Sequence, residues 1–435
     1  MNAVPVLPSK IVQEYARRTP RSKAAMERAH EVIPGGLVQG SRHYAPYPIV
    51  VASGRGARIT DVDGNEYVDY FQAATAQFLG HSHPAVIDAV RRQMQDGTNF
   101  GLHYERETRV ALKLRDVVPC AQMVKFTNTG LDACLLSVRV ARAKTGRVKI
   151  ATFRGHFHGW EDQLYAPYAR GIGIPPELQM HTIVLPFNDA DALAELVTRE
   201  KLAAVILEPY STNAGAIPPD PKFLTRLRAL TRDCGAALIF DECVSNFRLA
   251  RGGAQEFFGV APDMAVLGKC LSGGYSVAGA LVGGAEWMEV TDRDRGDYVY
   301  HGAWQSPVVL AAIEATLDLL DDRKLIEHAA RLGAKLRDGL KSVAARAGVP
   351  AQVIGLACVA RIVFGDQPIH TPDDIKKGDQ KLLQSFHLGL VNRGHFLLPG
   401  RHFYTCVVQT DRDIDRLLVD AGPALDDALS ERGSA

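Results

Sequence analysis

Two residues carry the strongest chemical signal in the chain. Asp241 closes the apolar run AALIFDE, and Lys269 closes the run MAVLGK, 28 residues further on. A lysine delivered by a strand end, with the Gly273-Gly274 loop behind it, can reach into a crevice. Buried there near other positive groups, its amine is easier to deprotonate and can act as a nucleophile. Taken singly, the two residues have plainer readings, a surface lysine and a helix-capping aspartate. A phosphate-binding loop is excluded at the Gly268-Lys269 step, because G-x-x-x-x-G-K needs glycine where Asp263 stands.

These strand ends belong to a repeating pattern. Short apolar runs occur at 123–128, 149–153, 181–187, 203–209, 236–242, 264–269 and 277–284. Helix-period segments separate most of them, as at 130–144, 189–200 and 221–234. Continuous apolar strands alternating with helices predict an α/β chain built on a mostly parallel sheet covered on both faces. Ligands of such sheets bind beyond the carboxyl ends of the strands, where Asn128, Glu208, Asp241 and Lys269 fall. Upstream, residues 1–34 read as a polar arm and one helix ending before Pro34. Two strand-like runs follow, joined by a turn at Asp63-Gly64. Helices are expected at 84–95, 104–117, 307–320, 323–346, 375–393 and 412–430. Weaker strands are expected at 352–363 and 395–409, with a loose connection over 364–374. The expected division is an arm and part of a small α+β domain over 1–80, a large domain over 81–320, and the rest of the small domain over 321–435.

Composition narrows the class. The 435 residues include 50 Lys and Arg against 49 Asp and Glu, a balance that argues against a broad nucleic-acid or anionic-membrane footprint. Hydrophobic residues make up 46% and charged residues 23%, which suits a globular chain and not a disordered one. No apolar run is long enough to span a membrane, and the N-terminus lacks a secretory apolar region. Seven cysteines, odd in number and without a C-x-x-C pair, read as reduced thiols of a cytoplasmic protein.

The segments FTNTGLDACLLSVRVARAKTGRVKIATFRGHFHG, ILEP, LIFDECVSNFR and PDMAVLGKCLSGG occur in one order at strand ends. Together they resemble the class III pyridoxal-phosphate-dependent aminotransferases of fold type I, most of all the glutamate-1-semialdehyde aminomutase branch. The likeness runs from about residue 25 to residue 428, and the Asp–Lys spacing is the family's own. It implies a seven-stranded, mostly parallel sheet in the large domain and pyridoxal 5′-phosphate as cofactor. Lys269 would form the Schiff base with that cofactor and then move the substrate proton, and Asp241 would pair with the protonated pyridine nitrogen. Cys243 and Phe157 would lie on the two faces of the ring, at places where the family usually has Val and Tyr. Thr129, Gly130 and Leu131 open a helix whose N-terminus would take the phosphate. The family has Ser-Gly-Thr there, so one hydroxyl is kept and one is lost, and Asp132 replaces the usual Glu. Glu208 would stand close to the cofactor.

The resemblance also implies homodimers with shared active sites. A Thr that the family uses to reach the partner's phosphate is missing from HGAWQSP, leaving Ser306, Gln305 or backbone amides to substitute. Arg42 matches an arginine that grips the substrate carboxylate, and Arg401 lies where related enzymes carry a second clamp. Trp304, Tyr44 and Trp160 are candidates for the pocket wall. Ala74 stands where the mutase has Trp, so a wider pocket is expected. The H-x-H pairs His81/His83 and His156/His158 resemble metal pairs. No Cys or carboxylate is expected to complete them, and no metal is expected.

Three readings remain open from these residues. The first is an aminotransferase moving an amino group from a β- or bulky α-amino acid to an oxo acid. The second is an aminomutase or racemase on the same scaffold. The third is a non-catalytic cofactor-fold binding protein.

Overall fold

The computed structural model describes residues 9–168 and 171–432. Its N-terminal strands are β1 (Val51–Arg55), β2 (Arg58–Asp61) and β3 (Glu66–Asp69). The central strands are β4 (Met123–Thr127), β5 (Lys149–Phe153), β6 (Thr182–Leu185), β7 (Leu202–Leu207), β8 (Ala237–Asp241), β9 (Met264–Gly268) and β10 (Gly279–Gly283). The last four are β11 (Ala351–Ile354), β12 (Val359–Phe364), β13 (His395–Phe396) and β14 (Phe403–Tyr404).

The central strands form one seven-stranded sheet in the order β4-β10-β9-β8-β7-β5-β6. β5 to β9 run parallel, and β10 alone runs antiparallel to its neighbours β4 and β9. Every residue of β7, β8 and β9 is buried, which is why these strands read as unbroken apolar runs. Asp241 is the last residue of β8, and Lys269 follows the last residue of β9. The expected fold class is therefore the observed one, with helices between most consecutive parallel strands.

A second apolar cluster draws on both ends of the chain, including Ile11, Tyr67, Leu336, Phe386 and Leu425. It packs beside a sheet of β1, β2, β3 and β13 and a sheet of β11, β12 and β14. The two faces of β12 divide between cores. Ala360, Ile362 and Phe364 join this terminal cluster, whereas Val359 and Val363 join the cluster around the central sheet. Arg361 falls on the second face, between those valines, by the alternation of a strand.

Several expected elements differ. The arm contains a helix at Lys10–Arg18, capped by Ser9, whose hydroxyl accepts from the Val12 amide. Only Ile11 and Tyr15 of that helix are buried, so its apolar stripe is thin. The single strand expected over 352–363 is a β11–β12 hairpin that turns at Gly355, where φ is +132° and a Cβ would fall 2.3 Å from the Val359 carbonyl oxygen. The strand expected over 395–409 shrinks to β13 and β14. The helix expected over 375–393 is two, Pro372–Lys377 and Gln380–Asn392, because Asp379 caps the second through the Leu382 amide. The first of these lies partly in the stretch expected to be loose. Among the described residues, no helix is long and apolar enough to cross a membrane.

Candidate active site

Asp241 is buried at the end of β8 and already holds three donors. His158 Nδ1 lies 2.8 Å from its Oδ2, the Cys243 amide donates to its Oδ1 at 3.0 Å, and the Cys134 thiol approaches Oδ2 at 3.5 Å. Burial alone would raise the carboxyl pKa, but the bond and charge of His158 and the Cys243 donors outweigh it, and the net shift is downward. The carboxylate thus stays ionised at the bottom of the crevice. His158 is itself fixed, since its Nε2 lies 3.1 Å from the Thr152 hydroxyl.

Sequence reasoning placed His158 in a turn and gave it no partner. The structure corrects this, because Cys134, His158 and Asp241 bring their ligand atoms within 4.8 Å of one another. The signal was absent from local sequence, since His158 and Asp241 are 83 positions apart. The arrangement reads as a hydrogen-bond chain aimed at the carboxylate, each nitrogen of His158 being used. His81, from the other pair, lies 2.7 Å from Asp69 Oδ2.

Lys269 does not end the strand, as expected, but opens a short 3-10 turn, Lys269–Ser272. Its φ is +48°, a left-handed conformation that a non-glycine residue adopts at a cost of about 1 kcal/mol or more. Such strain is retained where the surroundings fix the side chain's direction. Among the described residues, the Lys269 amine has no hydrogen bond or ion pair. Its charge acts on the Cys134 and Cys243 thiols, against that of Asp241. Lys269 and Asp241 therefore both stand close to the Cys134 and Cys243 thiols.

Cys243 lies between two glycines. A Cβ on Gly130 would stand 2.3 Å from its Sγ, and one on Gly268 would stand 3.0 Å away. The helix Gly130–Thr145 begins here with a capping box, in which Thr129 Oγ1 accepts from the Asp132 amide and Asp132 accepts from the Thr129 amide. The loss of the second hydroxyl has a packing counterpart. Leu131 fills the space beside Gly159, where a Cβ would fall 2.3 Å from Leu131 Cδ1.

Phe157 is half-buried, and its amide donates to Glu208 Oε1 at 2.9 Å. Glu208 also accepts from the Thr212 hydroxyl, the Asn213 amide and the Asn213 side chain. Those four donors make it a brace between the Phe157 loop and the 208–213 turn. The Ser306 hydroxyl accepts from the Val309 amide and so caps the helix Pro307–Leu320, leaving its proton free to donate. Gln305 is buried and turned inward, donating to the Thr127 carbonyl, so it is not available to reach another subunit.

The remaining residues are not gathered as closely. Arg42 is exposed and donates from Nε to Gln39 at 3.2 Å. Trp304 and Trp160 are exposed, whereas Tyr44 is buried in the terminal core, bonded to Tyr15 and the Ile49 amide. Arg401 is half-buried beside Arg361 and His402. Ala74 lies in a turn, Gln72–Thr75, in which four successive residues have positive φ.

The residues fit pyridoxal 5′-phosphate. An ionised acid suits a pyridinium nitrogen, a free amine suits an aldehyde, and glycines keep space open between Cys243 and a helix N-terminus suited to phosphate. Comparison with known proteins agrees. The family model described as aminotransferase class-III matches residues 39–387. A glutamate-1-semialdehyde 2,1-aminomutase of Methanothermobacter thermautotrophicus is 37% identical over 407 residues, covering 91% of this chain and 96% of its own. An omega-transaminase from Sphaerobacter thermophilus superposes with a TM-score of 0.89 at 33% identity, covering 94% of this chain and 98% of its own. A transaminase with PLP bound gives 0.88 at 29% identity, over 95% and 99%. By its sequence over most of its length and by its fold, this chain belongs to the class III aminotransferases and is a pyridoxal-phosphate-dependent enzyme.

Proposed function

We propose that this enzyme relocates an amino group on a carboxylate-bearing substrate, with Lys269 as the reacting amine and Asp241 as the acid that holds the cofactor nitrogen charged. The observation that carries this reading is the pairing of an unpartnered Lys269 with an Asp241 kept ionised by His158. Pyridoxal phosphate, when bound, draws electrons from the amino-bearing carbon and stores the amino group. Lys269 carries the cofactor between turnovers and moves the proton at the substrate carbon. Cys243 and Phe157 enclose the ring, Gly130 and Leu131 present backbone amides to the phosphate beside the Thr129 cap, and Glu208 holds the Phe157 loop in place. Ser306 takes the role of the missing threonine by donating its hydroxyl proton. Arg42, Arg401 and Trp304 serve the substrate.

Between the two catalytic readings, the relatives favour the intramolecular one. Curated relatives that match over nine tenths of the chain are aminomutases, so a shift within one molecule ranks above transfer to a separate oxo acid, the first reading of the residues alone. Transfer from a β- or bulky α-amino acid remains a second reading, supported by Ala74 in place of Trp and by the transaminase neighbour. Turnover of an amino-oxo acid with no added acceptor, undiminished after dialysis, supports the mutase reading. Strict dependence on an added oxo acid overturns it in favour of transamination.

The site is also read as shared in a homodimer. Large apolar side chains are exposed along 160–180 and 298–304, including Trp160 at 75%, Ile172 at 101% and Trp304 at 57%. A second copy of the chain would cover such side chains. A division into a cofactor-holding domain over 81–320 and a smaller domain from 1–80 and 321–435 is consistent with the two apolar clusters. Seven free thiols suit a reducing, cytoplasmic setting.

A further inference from the structure

Arg361 is a guanidinium buried without a counter-ion. It is 6% exposed, its Nε has no hydrogen-bond partner, and its one bond is from Nη2 to the Gly400 carbonyl at 3.4 Å. Among the described residues it makes no ion pair, and the charge that acts on it is a second positive one, Arg401. Burial and that repulsion lower its pKa to about 10, the reverse of what an acidic partner would do. A buried charge left in this state costs stability, and natural chains rarely keep one without use.

Its surroundings say what the use is. Arg361 lies on the face of β12 that packs toward the central sheet, and β12 pairs with β14 through Ala360↔Phe403 and Val359↔Tyr404. Extending that register sets Arg361 opposite His402. His402 is buried with Nδ1 unpaired, and burial together with the charges of Arg361, Arg401 and Lys269 holds its pKa far down. His387 is buried with Nε2 unpaired, and its Nδ1 accepts from the Gly400 amide at 3.0 Å. On the opposite side, a Cβ on Gly215, in the segment that follows Glu208, would stand 4.0 Å from Arg361 Nε. Two guanidiniums, two neutral histidines and the reacting lysine thus meet where the terminal core faces the crevice. Among the described residues, neither guanidinium is paired with an anion.

We propose that Arg361 and Arg401 together hold one carboxylate of the substrate, with Arg361 the buried half of the site. This deepens the proposed function and rests on reading the crevice as the place where that substrate reacts. Arg361 also positions its partner, since its bond to the Gly400 carbonyl fixes the residue before Arg401. Two planar forks give a carboxylate two donor groups and two charges, so an anionic carboxylate satisfies the site and a neutral amide does not.

The test is binding, which separates it from the reaction reading. Glutarate, an unreactive dicarboxylate, is titrated calorimetrically into the cofactor-loaded enzyme and its Arg361→Met, Arg361→Lys and Arg401→Met variants. The ligand-free thermal midpoint is recorded for each. Arg361→Met is expected to weaken glutarate by on the order of thirtyfold, with an unchanged or higher midpoint because an uncompensated charge has been removed. Should Arg361→Met fold poorly, Arg361→Lys decides the matter. It retains charge without the fork, and weakened binding in a folded protein supports the proposal. Wild-type affinity in either folded Arg361 variant overturns it, as does wild-type enzyme that binds neutral glutaramide as tightly as glutarate. A glutarate site sensitive to Arg361 in an enzyme that shows neither mutase nor transaminase turnover would overturn the reaction reading alone.

Discussion

His158 sets the state of Asp241, and this makes a pH prediction at the scale of single residues. The folded-state carboxyl lies below its ordinary value of 3.8, so its contribution to stability is present above that value and is lost as pH falls through the depressed one. Replacing His158 by Phe removes a charge-assisted bond of about 1.5–3 kcal/mol, or about 1–2 pH units. The acid limb of kcat/KM is expected to move upward by that amount in His158→Phe. An unmoved limb would mean that Asp241 does not depend on the histidine. The difference between Asp241 and His158 also shows what a sequence can disclose. Asp241 and Lys269 were legible because each stands where an unbroken apolar run meets polar sequence. His158 and Arg361 were not, because their meaning lies in contacts across the sheet and in the register of a hairpin that read as one strand. Arg42 was legible only by likeness, and the single chain leaves it exposed.

Elements position these residues through close backbone approaches, and two predictions belong here. The helix Gly130–Thr145 reaches β9 because Gly130 and Gly268 leave room for Cys243 Sγ. Gly130→Ala places a methyl 2.3 Å from that sulfur and is expected to lower stability by about 1–3 kcal/mol. Cys243→Ala removes the sulfur, so the double variant should recover much of the loss. Calorimetric midpoints of the two single variants and the double check this, and additive losses would contradict the packing. The second prediction concerns the cap. Thr129→Ala loses the bond to the Asp132 amide and should cost about 0.5–2 kcal/mol, measured by thermal melting, with weaker cofactor retention on dialysis. Caps explain where sequence boundaries were good or poor. The helices Pro307–Leu320 and Arg323–Arg346 were expected at their observed limits, since Pro307 and the Asp322 cap are local signals. The helix Lys10–Arg18 was read as an arm because its stability comes from docking, with Asn392 donating to the Ile11 carbonyl.

At the scale of the whole molecule, the crevice is closed by segments far apart in sequence. Glu208 follows a strand of the central sheet, Arg361 belongs to the terminal part of the chain, and Trp160 and Trp304 are exposed. If the dimer reading holds, sedimentation of the cofactor-loaded enzyme gives twice the chain mass, and Trp160 and Trp304 become shielded from acrylamide quenching on association. A single chain mass at micromolar concentration, with full activity, would contradict a shared site. The parallel sheet and the family were legible in sequence because apolar periodicity and motif order are one-dimensional. The two-faced role of β12 was not, because it depends on which core each face meets.

The central claim is that Lys269 is the amine that carries the cofactor. Sodium borohydride reduction of the loaded enzyme, followed by peptide mass mapping, tests it most directly. The account predicts a pyridoxyl adduct on the peptide containing Lys269, and neither adduct nor turnover in Lys269→Ala. An adduct on another lysine, or full turnover by Lys269→Ala, would contradict it.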